Sequence, residues 1–173
     1  MRTVMAALLV SVAAHAGAEV KNTNGTGFEI ENKRVVAASP TEAWAMLGRI
    51  GEWWNPAHSY SGDAANLRIA LKAGGCFCEA LPASGGSVEH MRVVHARPGE
   101  LLRLQGGLGP LQGEAVAGTL DWRMKPVEGG TEITQTYIVS GSIRAGAAIM
   151  AAPVGAVLDE QLSRLAAKLE NRE

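Results

Sequence analysis

The end of the chain sets the tightest constraint on its fold. Val154, Leu158, Leu162, Leu165 and Leu169 recur at three- and four-residue spacing, with Asp159, Glu160, Arg164 and Lys168 between them. That period gathers the apolar residues into one stripe and predicts a long amphipathic helix. Pro153 either opens this helix or kinks a longer one that starts near Ala147. Nearly everything before it repeats with period two. An antiparallel sheet has to bury one face, and here a single long helix is available to cover it.

The period-two segments follow one another between turn signals. Residues 28–38 place Phe28, Ile30, Asn32, Arg34 and Val36 on one parity, a first strand with a mixed inner face. Ser39-Pro40 then opens a helix, with Ser39 as N-cap and Glu42 completing a capping box. Trp53 and Trp54 are expected on a second short helix, ended by Asn55-Pro56. Further strands are expected over 66–71, 76–81, 88–96, 101–105, 116–124 and 133–139, separated by turns such as Gly74-Gly75, Pro98-Gly99 and Gly129-Gly130. The resulting class is α+β: a curved antiparallel sheet of about seven strands, two short helices after the first strand, and the long C-terminal helix across the sheet. Between a curved sheet and one covering helix there is room for a cavity.

The stretch GEWWNPAHSYSGD, residues 51–63, is the candidate cap of that cavity. Only 5% of the chain is aromatic, yet two of the four Trp fall here beside His58 and Tyr60. Each of these side chains joins an apolar body to a hydrogen-bonding tip, which suits a cavity lining. The candidate ligand contacts are Trp53, Trp54, Asn55, His58 and Tyr60, with Tyr137 from the inward parity of the last strand. Trp44 and Trp122 sit on regular elements with apolar neighbours and are expected in the core. The loop 106–113 lacks the Lys-Ser/Thr of a phosphate-binding loop and is placed at the cavity mouth.

In this order and spacing the chain resembles the START/SRPBCC superfamily, the helix-grip fold. The residues that carry the likeness are VVAASPTEAWAML, Gly74-Gly75-Cys76-Phe77, Gly129-Gly130-Thr131 and the terminal helix, spanning residues 28–169. It looks most like the polyketide cyclase/dehydrase and lipid-transport branch, with WWNPAHSYSGD, GGCFCE and GPLQG marking an exported bacterial subgroup. The resemblance implies a deep, mostly apolar cavity between sheet and last helix. It implies no single chemistry, because carriers, sensors, co-chaperones and enzymes share the fold.

Three functions follow from these residues. The first is a carrier or sensor of a small apolar or amphipathic molecule. The second is a cyclase, dehydratase or hydrolase in which His58 works with Asp63 or Tyr60 as acid and base. The third is a protein-interaction module, which predicts a filled core and an exposed apolar patch instead of a cavity. Cys76 and Cys78 form C-x-C in a strand; regular alternation puts both thiols on one face, where a disulfide would be strained. They are expected as buried free thiols. With His90 they make a weak zinc or copper set, so no metal and no cofactor is assigned.

The first 18 residues read as a secretory signal peptide: Arg2, an apolar run over 4–14, and Ala16-Gly17-Ala18 as the cleavage site. The run is too short for a membrane span. The expected mature domain is 19–173, periplasmic or secreted. A formal net charge of −1 argues against nucleic acid as a partner.

Overall fold

The computed structural model describes residues 18–171. The signal peptide over 1–18 falls almost wholly outside the described residues. Eight strands form one antiparallel sheet: β1 (Glu19–Asn24), β2 (Gly27–Val36), β3 (Leu67–Ile69), β4 (Cys76–Leu81), β5 (Gly86–Arg97), β6 (Leu101–Gln105), β7 (Ala115–Val127) and β8 (Gly130–Ser142). Their spatial order is β1-β2-β8-β7-β6-β5-β4-β3. Helix α1 (Pro40–Gly48) follows β2, and helix α2 (Ala147–Glu170) closes the chain. The α+β helix-grip architecture expected from the sequence is present, with eight strands rather than about seven.

The extra strand is β1. Its sequence EVKNTN has every residue exposed, so no apolar alternation announces it. Among the described residues it pairs only with β2, through backbone groups, as an edge strand. The inward parities of the other strands are as read. Ile30, Val36, Leu120, Trp122, Met124, Ile133, Tyr137 and Val139 are all buried in one core with Leu158, Leu162, Leu165 and Leu169 of α2. Ser39 caps α1 in a capping box with Glu42. Pro153 lies inside α2, which begins at Ala147. The second short helix is a one-turn 3-10 segment, Ile50–Glu52, and Trp53 and Trp54 follow it instead of riding on it. Asn55 then caps another 3-10 turn over Pro56–His58.

The sheet is pinned to the 106–113 loop by Tyr137. Its buried hydroxyl accepts from Leu108 N at 2.9 Å and donates to Gly106 O at 3.0 Å. Burial pushes the phenol up to about 12, partly offset by the Leu108 N–H bond. Gly118 makes room for it: a Cβ there would stand 2.7 Å from the Tyr137 oxygen. Tyr137→Phe leaves the Leu108 N–H without its acceptor and Gly106 O without the hydroxyl donor at once. We expect a loss of about 1–3 kcal/mol, read by thermal denaturation, with faster amide exchange at Leu108.

Cys76 and Cys78 are joined in a disulfide, which corrects the expectation of two free thiols. Two residues of a regular strand advance roughly 6.6 Å, but here the Cα atoms lie 5.4 Å apart, inside the span a disulfide bridges. Opposite them, β5 carries a bulge: Phe77 pairs with Met91 and Cys78 with Glu89, leaving His90 as the extra residue. Both cysteines are half-buried.

Candidate functional site

The bulge decides where His90 goes. Regular alternation would put His90 and Met91 on opposite faces. With the extra residue, both turn inward and are buried. On β4, Glu79 shares Phe77's inward parity and is 1% exposed. The two side chains meet: His90 Nε2 lies 2.9 Å from Glu79 Oε2. The same carboxylate accepts from Tyr60 N at 3.0 Å and from Ser61 N. Burial alone would raise Glu79, but the Ser61 and Tyr60 N–H bonds and His90 outweigh it and hold the carboxyl below its ordinary range. For His90, burial dominates over the attraction of Glu79 and pushes the imidazole down, toward its neutral form.

Rings connect this pair to the core. Trp122, Trp53, Trp54, Phe77, His90 and Tyr60 run as one chain of contacts, with centroid separations of 5.8, 5.8, 5.5, 4.8 and 5.7 Å. The Tyr60 ring stacks on His90 at 27°. At its far end the chain of rings meets a cavity of about 410 Å3. Three elements wall it: the segment from Trp54 to Tyr60, the turn Leu108 to Pro110, and α2 from Met150 to Leu158; His90 joins them from β5.

The capping segment is tied to α2 by side chains of that helix. Arg164 Nε donates to Trp53 O at 2.7 Å, and Gln161 Oε1 accepts from Asn55 N at 2.8 Å. Glu160 accepts from the Asn55 amide and lies 3.0 Å from His58 Nε2. Inside the segment, Trp54 Nε1 donates to His58 O at 2.9 Å. Tyr60 OH donates to Gly109 O at 3.2 Å, joining two of the cavity walls.

Of the six expected contacts, Trp54, His58 and Tyr60 line the cavity. Trp53 is buried behind them, its indole N–H on Met46 O. Asn55 is spent on the turn and on α2. Tyr137 is spent on the loop latch and does not line this cavity. The His58–Asp63 couple does not form: Asp63 caps the next turn, accepting from Ala65 N at 2.9 Å, while His58 takes Glu160 instead. The candidate set Cys76, Cys78 and His90 is not assembled either, because the sulfurs are joined and His90 is held by Glu79. Glu79 and Glu160 are the residues that sequence reasoning passed over. Glu79 left a signal, an acid on the inward parity beside Phe77. Glu160 left none, since its partner His58 is 102 residues away.

A wider groove of about 740 Å3 runs past Ile50, Leu67 and the disulfide. Arg49, Glu52 and Arg68 border it, and it carries no aromatic side chain. Among the described residues, no helix is long and apolar enough to cross a membrane.

One antiparallel sheet gripping one long helix, with a cavity at the capped end, defines an SRPBCC-type domain. The chain belongs to the polyketide cyclase / dehydrase and lipid transport family, whose sequence profile matches residues 27–170. No match is found among curated proteins. Among solved structures it is similar to protein MLL2253 from Mesorhizobium loti, with TM-score 0.61 and 15% identity over 84% of this chain and 98% of that one. It is also similar to CalU16 from Micromonospora echinospora, with TM-score 0.57 and 16% identity over 87% and 83%. The Aha1 dimer from Colwellia psychrerythraea matches with TM-score 0.58 and 18% identity over 83% and 96%. At these identities the likeness is one of fold.

Proposed function

We propose that the chain is an exported carrier or sensor that holds one small, largely apolar molecule between the capping segment and α2. The observation that carries this reading is the cavity itself. Trp54, Leu108, Met150, Val154, Val157 and Leu158 supply an apolar lining, and its volume is that of a small-ligand site. Burial at about 25 cal/mol per Å2 supplies the affinity. The family's description, with lipid transport in it, points the same way. Export is supported by the signal-like pattern of residues 1–18, by a first strand that starts at Glu19, and by a disulfide, a bond at home in oxidising compartments.

A second reading, a cyclase, dehydratase or hydrolase, is favoured by one observation: His58, paired with Glu160, stands in the cavity wall. In it His58 moves a proton and Glu160, not Asp63, orients the ring. An interaction module expects a filled interior, and the cavity weighs against it.

Native mass spectrometry of the protein recovered from its own host's periplasm, followed by solvent extraction, tests the first reading. The expected result is a chain that starts at Glu19 with one small apolar molecule bound. A protein absent from the periplasmic fraction and found in the cytoplasm with Met1 in place overturns export. A bare chain that converts an offered substrate favours the enzyme.

A further inference from the structure

The cavity lining is mostly apolar, and its polar side chains are His58, Ser59, Tyr60 and His90. Those able to donate are engaged inside the protein, His58 Nε2 lying 3.0 Å from Glu160 Oε2. Trp54 Nε1 donates to His58 O, Ser59 Oγ to Pro56 O at 2.8 Å, and Tyr60 OH to Gly109 O. Among the described residues no Lys or Arg lines the cavity. Of the two wall histidines, His90 is the buried one. Glu79 Oε2 accepts from its Nε2, and the carboxylate is also the acceptor for two backbone N–H groups. A carboxylate in that role accepts only, so the imidazole proton is fixed on Nε2. Nδ1 then bears a lone pair, and among the described residues it has no hydrogen-bond partner. The ring is 5% exposed and forms part of the cavity wall, between Tyr60 and Phe77. An acceptor in a cavity wall pairs with a donor that enters the cavity.

We infer that His90, oriented by Glu79, is a hydrogen-bond-accepting subsite of the cavity, and that the bound molecule is apolar with one neutral hydroxyl, of the phenol or alcohol class. This rests on the cavity's being a ligand site, as proposed above. A ligand hydroxyl donates to Nδ1, while the rest of the molecule lies against Trp54, Leu108, Met150 and Val154. Ketones and ethers of the same shape bring an acceptor to an acceptor. Carboxylates and phosphates meet no Lys or Arg among the described wall residues and face two acids, Glu79 behind His90 and Glu160 behind His58. A site built around a hydroxyl rejects analogues that lack it far more strongly than an apolar pocket rejects a missing methylene.

The test uses the purified protein at pH 7 and four probes of one shape: 4-butylphenol, 4-butylanisole, butylbenzene and 4-butylbenzoate. Affinities are read from the Met150 methyl resonance. We expect the phenol to bind at least tenfold more tightly than the anisole, and the benzoate at least tenfold more weakly than the phenol. In His90→Phe the phenol-over-anisole ratio is expected to fall to about 1; the wild-type comparison stands on its own if that variant does not fold. If butylbenzene binds but the phenol shows no advantage over the anisole, or keeps its advantage in His90→Phe, the hydroxyl subsite is overturned and the apolar cavity survives. If none of the four binds, both are overturned.

Discussion

Glu79→Leu is expected to be among the most destabilising single changes in this protein. The leucine removes the acceptor from two part-buried backbone N–H groups, those of Tyr60 and Ser61, and from the buried His90 ring. Each donor left without its acceptor costs about 1–3 kcal/mol. For a domain of this size each kcal/mol moves the melting temperature by roughly 2–4 °C, so the expected fall is on the order of 10 °C. The pH dependence has a definite sign. Glu79 is held below its ordinary value of 4.5, so its contribution is fully present above that pH and is lost as pH falls through the folded value. His90 is held below its ordinary value of 6.5, so the unfolded chain takes up the proton first. Its neutral form therefore supports the fold fully above pH 6.5 and progressively less below it. Wild-type melts should decline from about pH 6.5 downward and again below about 4.5, and in Glu79→Leu the second decline should be shallower, since Asp121 and Glu114, also held low by arginines, still lose their contribution in acid. A variant that melts with the wild type at pH 7 would contradict the buried couple.

Val157→Trp is expected to close the ligand site. Val157 is half-buried on the cavity side of α2, across from Trp54 and Leu108. An indole at this position fills space a ligand needs and asks no strand to move. The expected result is at least a tenfold loss of affinity for butylbenzene, with a change in stability of about 1 kcal/mol or less, typical of a substitution that breaks no buried network. Unchanged affinity would place the ligand elsewhere, with the groove beside the disulfide as the next candidate.

Much of the frame was legible because burial of one face imposes a period. The alternation of residues 116–124 and 133–139 and the heptad-like stripe of α2 each predicted what is buried. β1 was hidden because an exposed edge strand has no inner face to pattern. The disulfide and His90 were hidden for one shared reason. Alternation assumes regular strands, and the extra residue in β5 breaks that assumption where β4 contracts across from it. The candidate cavity's lining was half legible. Trp54, His58 and Tyr60 declared themselves as aromatic side chains with polar tips in a turn-rich stretch. Their carboxylate partners did not, because local spacing favoured Asp63 while the fold delivers Glu160 from α2 and Glu79 from β4. Tyr137 had the inward parity of a ligand contact, but the chain spends its hydroxyl on its own loop.

The most direct measurement is a methyl NMR titration of methionine-labelled protein with butylbenzene. Met150 lines the cavity, whereas Met46 and Met124 lie in the closed core. The predicted result is a saturable shift of the Met150 methyl, with Met46 and Met124 nearly still, abolished by Val157→Trp. A Met150 signal that does not move while the probe binds, or a protein that takes up no probe at all, would contradict a ligand cavity between the capping segment and α2.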